Sequence, residues 1–162
     1  MFEWLKNYLL QKEIGSIPKI QKQFVEWGKV QSAVILVSSE QYSVIKDFVK
    51  QTGKNIDIIV THNDKNSEVK ECFLSVNKKD FSFFGLPKPE IVQKLKAKTY
   101  DVLINTDFNN SGFLKSLTGL TPAKCKLGPE SAVYNEFFDI SIQSNQQDFL
   151  KQALKYLMMI KS

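Results

Sequence analysis

Thr106, Asp107, Asn109, Asn110 and Ser111 crowd together between the strand-like run at 100–105 and Gly112, which opens a helical pattern. Short polar side chains of this kind hydrogen-bond ligands, and the free N–H groups at a helix start suit an anion. Ser38 and Ser39 stand in the same relation to an earlier run, AVILV at 33–37. These seven residues also have a purely local use. Asn110 or Ser111 can cap one helix, Ser38 another, and Asp107 can tie a turn.

Other chemistry is thin. His62 is the only histidine and is expected at the surface, in a loop beside Asp64, with nothing to mark it as a base. No serine stands in a GxSxG elbow. The glycine-rich loops that let a backbone approach phosphates, GxGxxG and GxxxxGK[ST], are missing, which disfavours dinucleotides and nucleoside triphosphates, and no cofactor is expected. Cys72 and Cys125 have neither CxxC nor zinc spacing and read as reduced thiols. Alternation around Cys125 turns it towards the core, where a thiol is inert. Asp101 and Asp107 flank opposite ends of one strand, and no metal site is expected.

The elements that must position these residues follow from periodicity. Phe2, Leu5, Tyr8 and Leu9 predict a first helix over 2–12, and Ile17, Ile20, Phe24 and Trp27 a second after Gly15 and Ser16. SAVILVSS at 32–39 is too continuously apolar for a half-exposed strand, so it belongs inside a parallel sheet. Ser38 and Gln41 have capping-box spacing for a helix that Gly53 stops. Strands are expected at 55–61, 71–76, 100–105 and 137–142, helices at 86–98, 112–119 and 148–160. The alternation in PAKCKLG predicts a strand with Lys124 and Lys126 on an exposed side.

Strands separated by helical segments imply right-handed crossovers. The expected fold is α/β, a three-layer Rossmann-like sandwich with a mainly parallel sheet of about 5–6 strands and helices on both faces. Residues 1–30 read as an N-terminal helical segment and 31–162 as a single Rossmann-like domain. In an order 3-2-1-4-5, the loops at 38–39 and 106–111 share a rim at the point where strand order reverses, the usual place for a ligand.

A length of 162 residues suits one domain with a sizeable core. The formal charge of +5 comes entirely from lysine, since there is no arginine. Lysine is a hydrated point charge without arginine's planar fork, so sequence-specific nucleic-acid recognition is disfavoured. Residues 78–98 hold a local lysine surplus that includes Lys94, Lys96 and Lys98, either a weak electrostatic patch for RNA or a solvated helix face. No apolar run approaches the roughly 20 residues of a membrane span. Glu3, Lys6 and Asn7 break any signal-peptide pattern, and a cytoplasmic location is expected.

The YDVLIN strand, the LKSLT helix, the AKCKLG strand, the closing DFLKQALKYLMMI helix and the AVILVSS strand upstream together resemble a DUF6913-like family of small proteins from Bacteroidetes-type bacteria, a domain of unknown function. That resemblance implies no catalytic residues. The strand–helix–strand order is also faintly similar to the N-terminal domain of heptosyltransferase-like glycosyltransferases, which implies half an enzyme needing a partner chain for its donor. The expectation is therefore a non-catalytic module binding a partner protein or small ligand at the 38–39 and 106–111 crevice. A weak RNA or ribosome associate is the alternative.

Overall fold

In a computed structural model, described for residues 3–17, 19–134 and 136–161, six strands form one all-parallel sheet of order β3-β2-β1-β4-β5-β6. The strands are β1 (Ala33–Ser38), β2 (Ile56–Thr61), β3 (Leu74–Val76), β4 (Tyr100–Asn105), β5 (Ala123–Pro129) and β6 (Ile140–Ile142). The helices are α1 (Glu3–Gly15), α2 (Tyr42–Thr52), α3 (Pro89–Lys96), α4 (Gly112–Leu120) and α5 (Phe149–Met159). No helix among the described residues is long and apolar enough to cross a membrane.

The continuous apolar character of β1 has a direct cause. Ile35 and Val37 point into a core shared with α2 and α5, while Val34 and Leu36 point into a second core shared with α1, α3 and α4. All four are fully buried, so truncating one of them to alanine would cost about 2–5 kcal/mol. α2 ends where expected, because Gly53 takes the left-handed conformation with φ 65°.

Several expectations are corrected. The helical spacing from Ile17 to Trp27 does not produce a helix; residues 19–26 are irregular and lead to a short 3-10 turn at Trp27–Lys29. The Gln23 N–H donates to the Lys124 carbonyl (3.1 Å), and Val25, Trp27 and Val30 are drawn into the core. Tertiary bonds here outcompete a local helix. In α1, Leu10 is the buried residue while Trp4 and Tyr8 are exposed; Phe2 lies outside the described residues. The capping box from Ser38 does not form: Ser38 makes no cap hydrogen bond, and a 3-10 turn at Ser39–Gln41 precedes α2.

β5 is covered on both sides, not one. β6 extends the sheet beyond it, and Lys126 is buried beneath the end of α4, its Nζ donating to the carbonyl of Thr118 (2.7 Å). An ammonium satisfies the carbonyls that a helix C-terminus leaves open. Cys125 does face the core, and burial pushes its thiol up to about 12. Both cysteines are free.

Candidate functional site

Because β1 and β4 are parallel neighbours in register from Ala33 with Val102 to Leu36 with Asn105, their trailing loops meet at one rim. Strand order reverses there, as the sequence implied. The polar residues of the 106–111 loop, however, mostly bond one another.

Asp107 organises that loop. Only 4% exposed, its carboxylate accepts the N–H of Asn109 (2.8 Å) and of Ser111 (2.6 Å) and the hydroxyl of Tyr134 (2.6 Å). Its own N–H donates to Asn105 Oδ1 (2.6 Å), and Asn105 Nδ2 donates to Thr118 Oγ1 (2.7 Å). Burial, then the nearby Asp107 charge, raises the pKa of Tyr134, so its phenol stays protonated and donates. Tyr134 is fully buried in the loop after β5, and no local pattern in the sequence marks it.

The remaining candidates have comparable uses. Thr106 donates its hydroxyl to the Leu36 carbonyl (2.8 Å), tying the end of β4 to β1. Asn110 adopts φ 55°, a conformation asparagine tolerates, and its Oδ1 accepts the Ser131 hydroxyl (2.8 Å). Ser111 is the N-cap of α4, accepting the Leu114 N–H at 3.5 Å. Asn109 is exposed; Ser38 and Ser39 are half-buried.

Two openings flank this rim, one on each face of the sheet, and a third of about 320 Å³ lies towards β5 and β6, lined by Asp107, Phe108, Asn110 and Ser131. On the α2 and α5 face, a cavity of about 440 Å³ is bounded by Thr106, Phe108, Ile45 and Phe149. On the opposite face, a larger cavity of about 730 Å³ lies among α1, the loops after β2 and β3, and the first turn of α4. Asn110 and Ser111 line it; Ser38, Ser39, Thr106, Asp107 and Asn109 do not.

This larger cavity is distinctly cationic. Lys6, Lys65, Lys78 and Lys115 line it against a single carboxylate, Glu3, which lies 3.6 Å from Lys6. Lys115 donates to Asn7 Oδ1 (3.2 Å), an uncharged partner. Lys65 and Lys78 are exposed and take part in no salt bridge among the described residues. Asp64, between two lining residues, is held by Ser67 and Asn66, and the Ser67 bonds lower its pKa. The open N–H groups of Gly112 and Phe113 at the start of α4 add positive potential. Leu10, Phe81 and Phe113 supply an apolar part, with Phe81 and Phe113 stacked at 4.0 Å.

The lysines of 78–98 do not form one patch. α3 runs back from the carboxyl end of the sheet to its amino end, so Lys78 sits at one end and Lys98 at the other. There Lys98 pairs with Asp57 (2.9 Å), and Lys96 donates to Ser16 Oγ (2.7 Å).

His62 is buried, contrary to its expected surface position. Its N–H donates to the Val76 carbonyl (2.8 Å), and its Nε2 meets Ser75 Oγ at 2.9 Å. Ser75 Oγ also accepts the Val69 N–H (3.0 Å), so it ties His62 to the loop before β3. This is a structural bond at the β2–β3 edge. Among the described residues, no group of three His, Cys, Asp or Glu is placed to hold a metal.

A family of unknown function, DUF6913, matches the chain over residues 6–160, and the chain belongs to it. No curated protein and no solved structure matches it.

Proposed function

We propose that this member of the family is a non-catalytic, cytosolic binding module whose small ligand occupies the lysine-lined cavity at the carboxyl end of the sheet. The supporting observation is a cavity of about 730 Å³ with four lysines against one carboxylate, beside the strand-order reversal where α/β folds bind ligands. Unpaired like charges repel one another, so a cluster of them favours a bound anion. The groups that chemistry would need are engaged elsewhere: His62 in its bond to Ser75, Cys125 in the core, Asp107 in its loop.

Thermal-shift screening of metabolites against the full chain and a Lys78→Gln/Lys115→Gln variant tests this reading. A ligand at about a hundred times its Kd adds about 2.7 kcal/mol, or about 5–10 °C at this size. At least one metabolite should reach that shift with the wild type and lose it with the variant. If none does, the small-ligand version fails and only a partner protein remains, which a pull-down would test.

A further inference from the structure

Resting on that reading, we infer that the ligand is a small phosphomonoester with a flat, aromatic organic part. The anionic end follows from the lysines. A phosphomonoester carries about −1.5 to −2 charges near neutral pH and accepts hydrogen bonds in three directions, which suits several ammonium groups lining one cavity. A carboxylate ligand would be served better by arginine's paired donors, and the chain has no arginine. The strand ends also restrict the ligand to a single phosphate group. The loop after β4 is knotted by Asp107 and has no glycine-rich turn, so its backbone cannot wrap a pyrophosphate.

The organic end follows from the aromatic rings. Phe81, Phe113 and Phe83 all line the cavity; Phe81 is buried and stacked on Phe113, whereas Phe83 is 80% exposed. An aromatic side chain left so open beside a cationic cavity is a stacking platform for a ring; Phe84 meets it edge-on, which leaves a face open. A cavity of about 730 Å³ falls within the range that holds ligands of nucleotide size. One cavity thus offers ammonium groups for a charged head and aromatic faces for a ring.

Amide-resolved NMR titration of the full chain decides the point, with phenyl phosphate, adenosine monophosphate, inorganic phosphate, adenosine and a short single-stranded RNA as probes. Both phosphomonoesters should shift the amides of Lys78, Gly112 and Phe113 saturably, and adenosine should not. Affinity should fall by about tenfold or more in Lys78→Gln/Lys115→Gln, and should stay unchanged in Lys94→Gln at the other end of the sheet. Phe83→Ala should weaken adenosine monophosphate while leaving inorganic phosphate unaffected. Adenosine binding as tightly as its monophosphate, or phosphomonoester binding that survives the double lysine change, overturns the inference. RNA binding while both small phosphates stay silent also overturns it. If a mixed metabolite extract shifts these amides and the phosphomonoesters do not, the ligand class is wrong but the binding reading stands; silence from every probe and the extract removes both.

Discussion

Three lysines at the amino end of the sheet each meet an aspartate: Lys98 with Asp57 (2.9 Å), Lys124 with Asp101 (3.0 Å) and Lys22 with Asp139 (3.1 Å). At the carboxyl end, Lys65 and Lys78 face a cavity in company with Lys6 and Lys115, and the one buried aspartate nearby, Asp107, is held by N–H groups and a phenol. The same two residue types are therefore deployed in opposite ways. At the amino end they cancel and pin the chain, with Asp57 also accepting the Tyr100 hydroxyl (2.6 Å) and Asp101 the N–H of Gln31 (2.9 Å). At the carboxyl end, acid shapes a loop and base is left available. At the amino end Lys54 and Lys96 donate to the Val30 carbonyl and the Ser16 hydroxyl, so the contrast lies in those three ion pairs against four lysines gathered round one cavity, which favours an anion there.

The largest expected effect separates loop architecture from ligand contact. Asp107→Ala leaves two N–H groups and one phenol without their acceptor in a buried site, which should lower unfolding free energy by about 3–5 kcal/mol in urea titration. If Asp107 served a ligand and not the fold, the loss would be small. The comparison would then break at its carboxyl end.

Lys126 is the exception at the middle of the sheet, a lysine buried without a carboxylate bonded to its ammonium. Burial, then the nearby Lys22 charge, lowers its pKa from 10.5 to about 8. Between those values the unfolded chain binds the proton and the folded chain does not, so unfolding free energy rises with pH across that window. Relative to Lys126→Met, wild-type stability should climb by up to about 3 kcal/mol from pH 8 to pH 10.5, read by chemical denaturation at each pH. A flat difference would mean that the Thr118 and Gly119 carbonyls hold the charge at its ordinary pKa.

How much of this was legible in the sequence depends on how local each signal is. β1 and β4 are readable because β-branched apolar runs between turn residues have few other solutions, and the cap of α4 was readable as Asn110 or Ser111, of which the structure uses Ser111. The Ile17–Trp27 spacing misled because periodicity reports which residues are apolar, not whether the backbone finds partners at Lys124 instead. Lys126 misled because alternation assigns it to a side of β5 without saying that α4 will cover that side. Of the cavity, only Asn110 and Ser111 were legible. Asn7 and Lys115 meet only because α1 packs on α4 beside Gly119, where an added Cβ would lie 2.7 Å from Ile14 Cδ1, and Lys65 and Lys78 arrive from two further strand ends.

A smaller effect tests the amino end. Asp101→Asn removes the partner of Lys124 and weakens the acceptor for the N–H groups of Gln31 and Ser32, which should cost about 1–2 kcal/mol. Burial opposes the Asp101 charge, but those N–H groups and Lys124 outweigh it and lower the pKa below 3.8. The contribution is complete above pH 3.8 and is lost as pH falls through the depressed value, so wild type and variant should converge in acid.

The smallest expected effect on stability is the most telling for function. Lys65 and Lys78 are exposed and pair with no carboxylate among the described residues, so Lys65→Gln and Lys78→Gln should each change unfolding free energy by no more than about 0.5 kcal/mol. Their sign should be towards stabilisation, because each removes a positive charge from a site already holding Lys6 and Lys115. The gain should shrink as salt screens the repulsion over a Debye length of about 8–10 Å. Lys124→Gln, matched in charge but drawn from the amino end, should instead destabilise, since it strips Asp101 of its cation. Opposite signs for the same substitution at the two ends would identify the carboxyl-end lysines as charges the fold tolerates without using. Equal losses at both ends would show that all of these lysines serve the fold, and the cavity would lose its claim to a ligand.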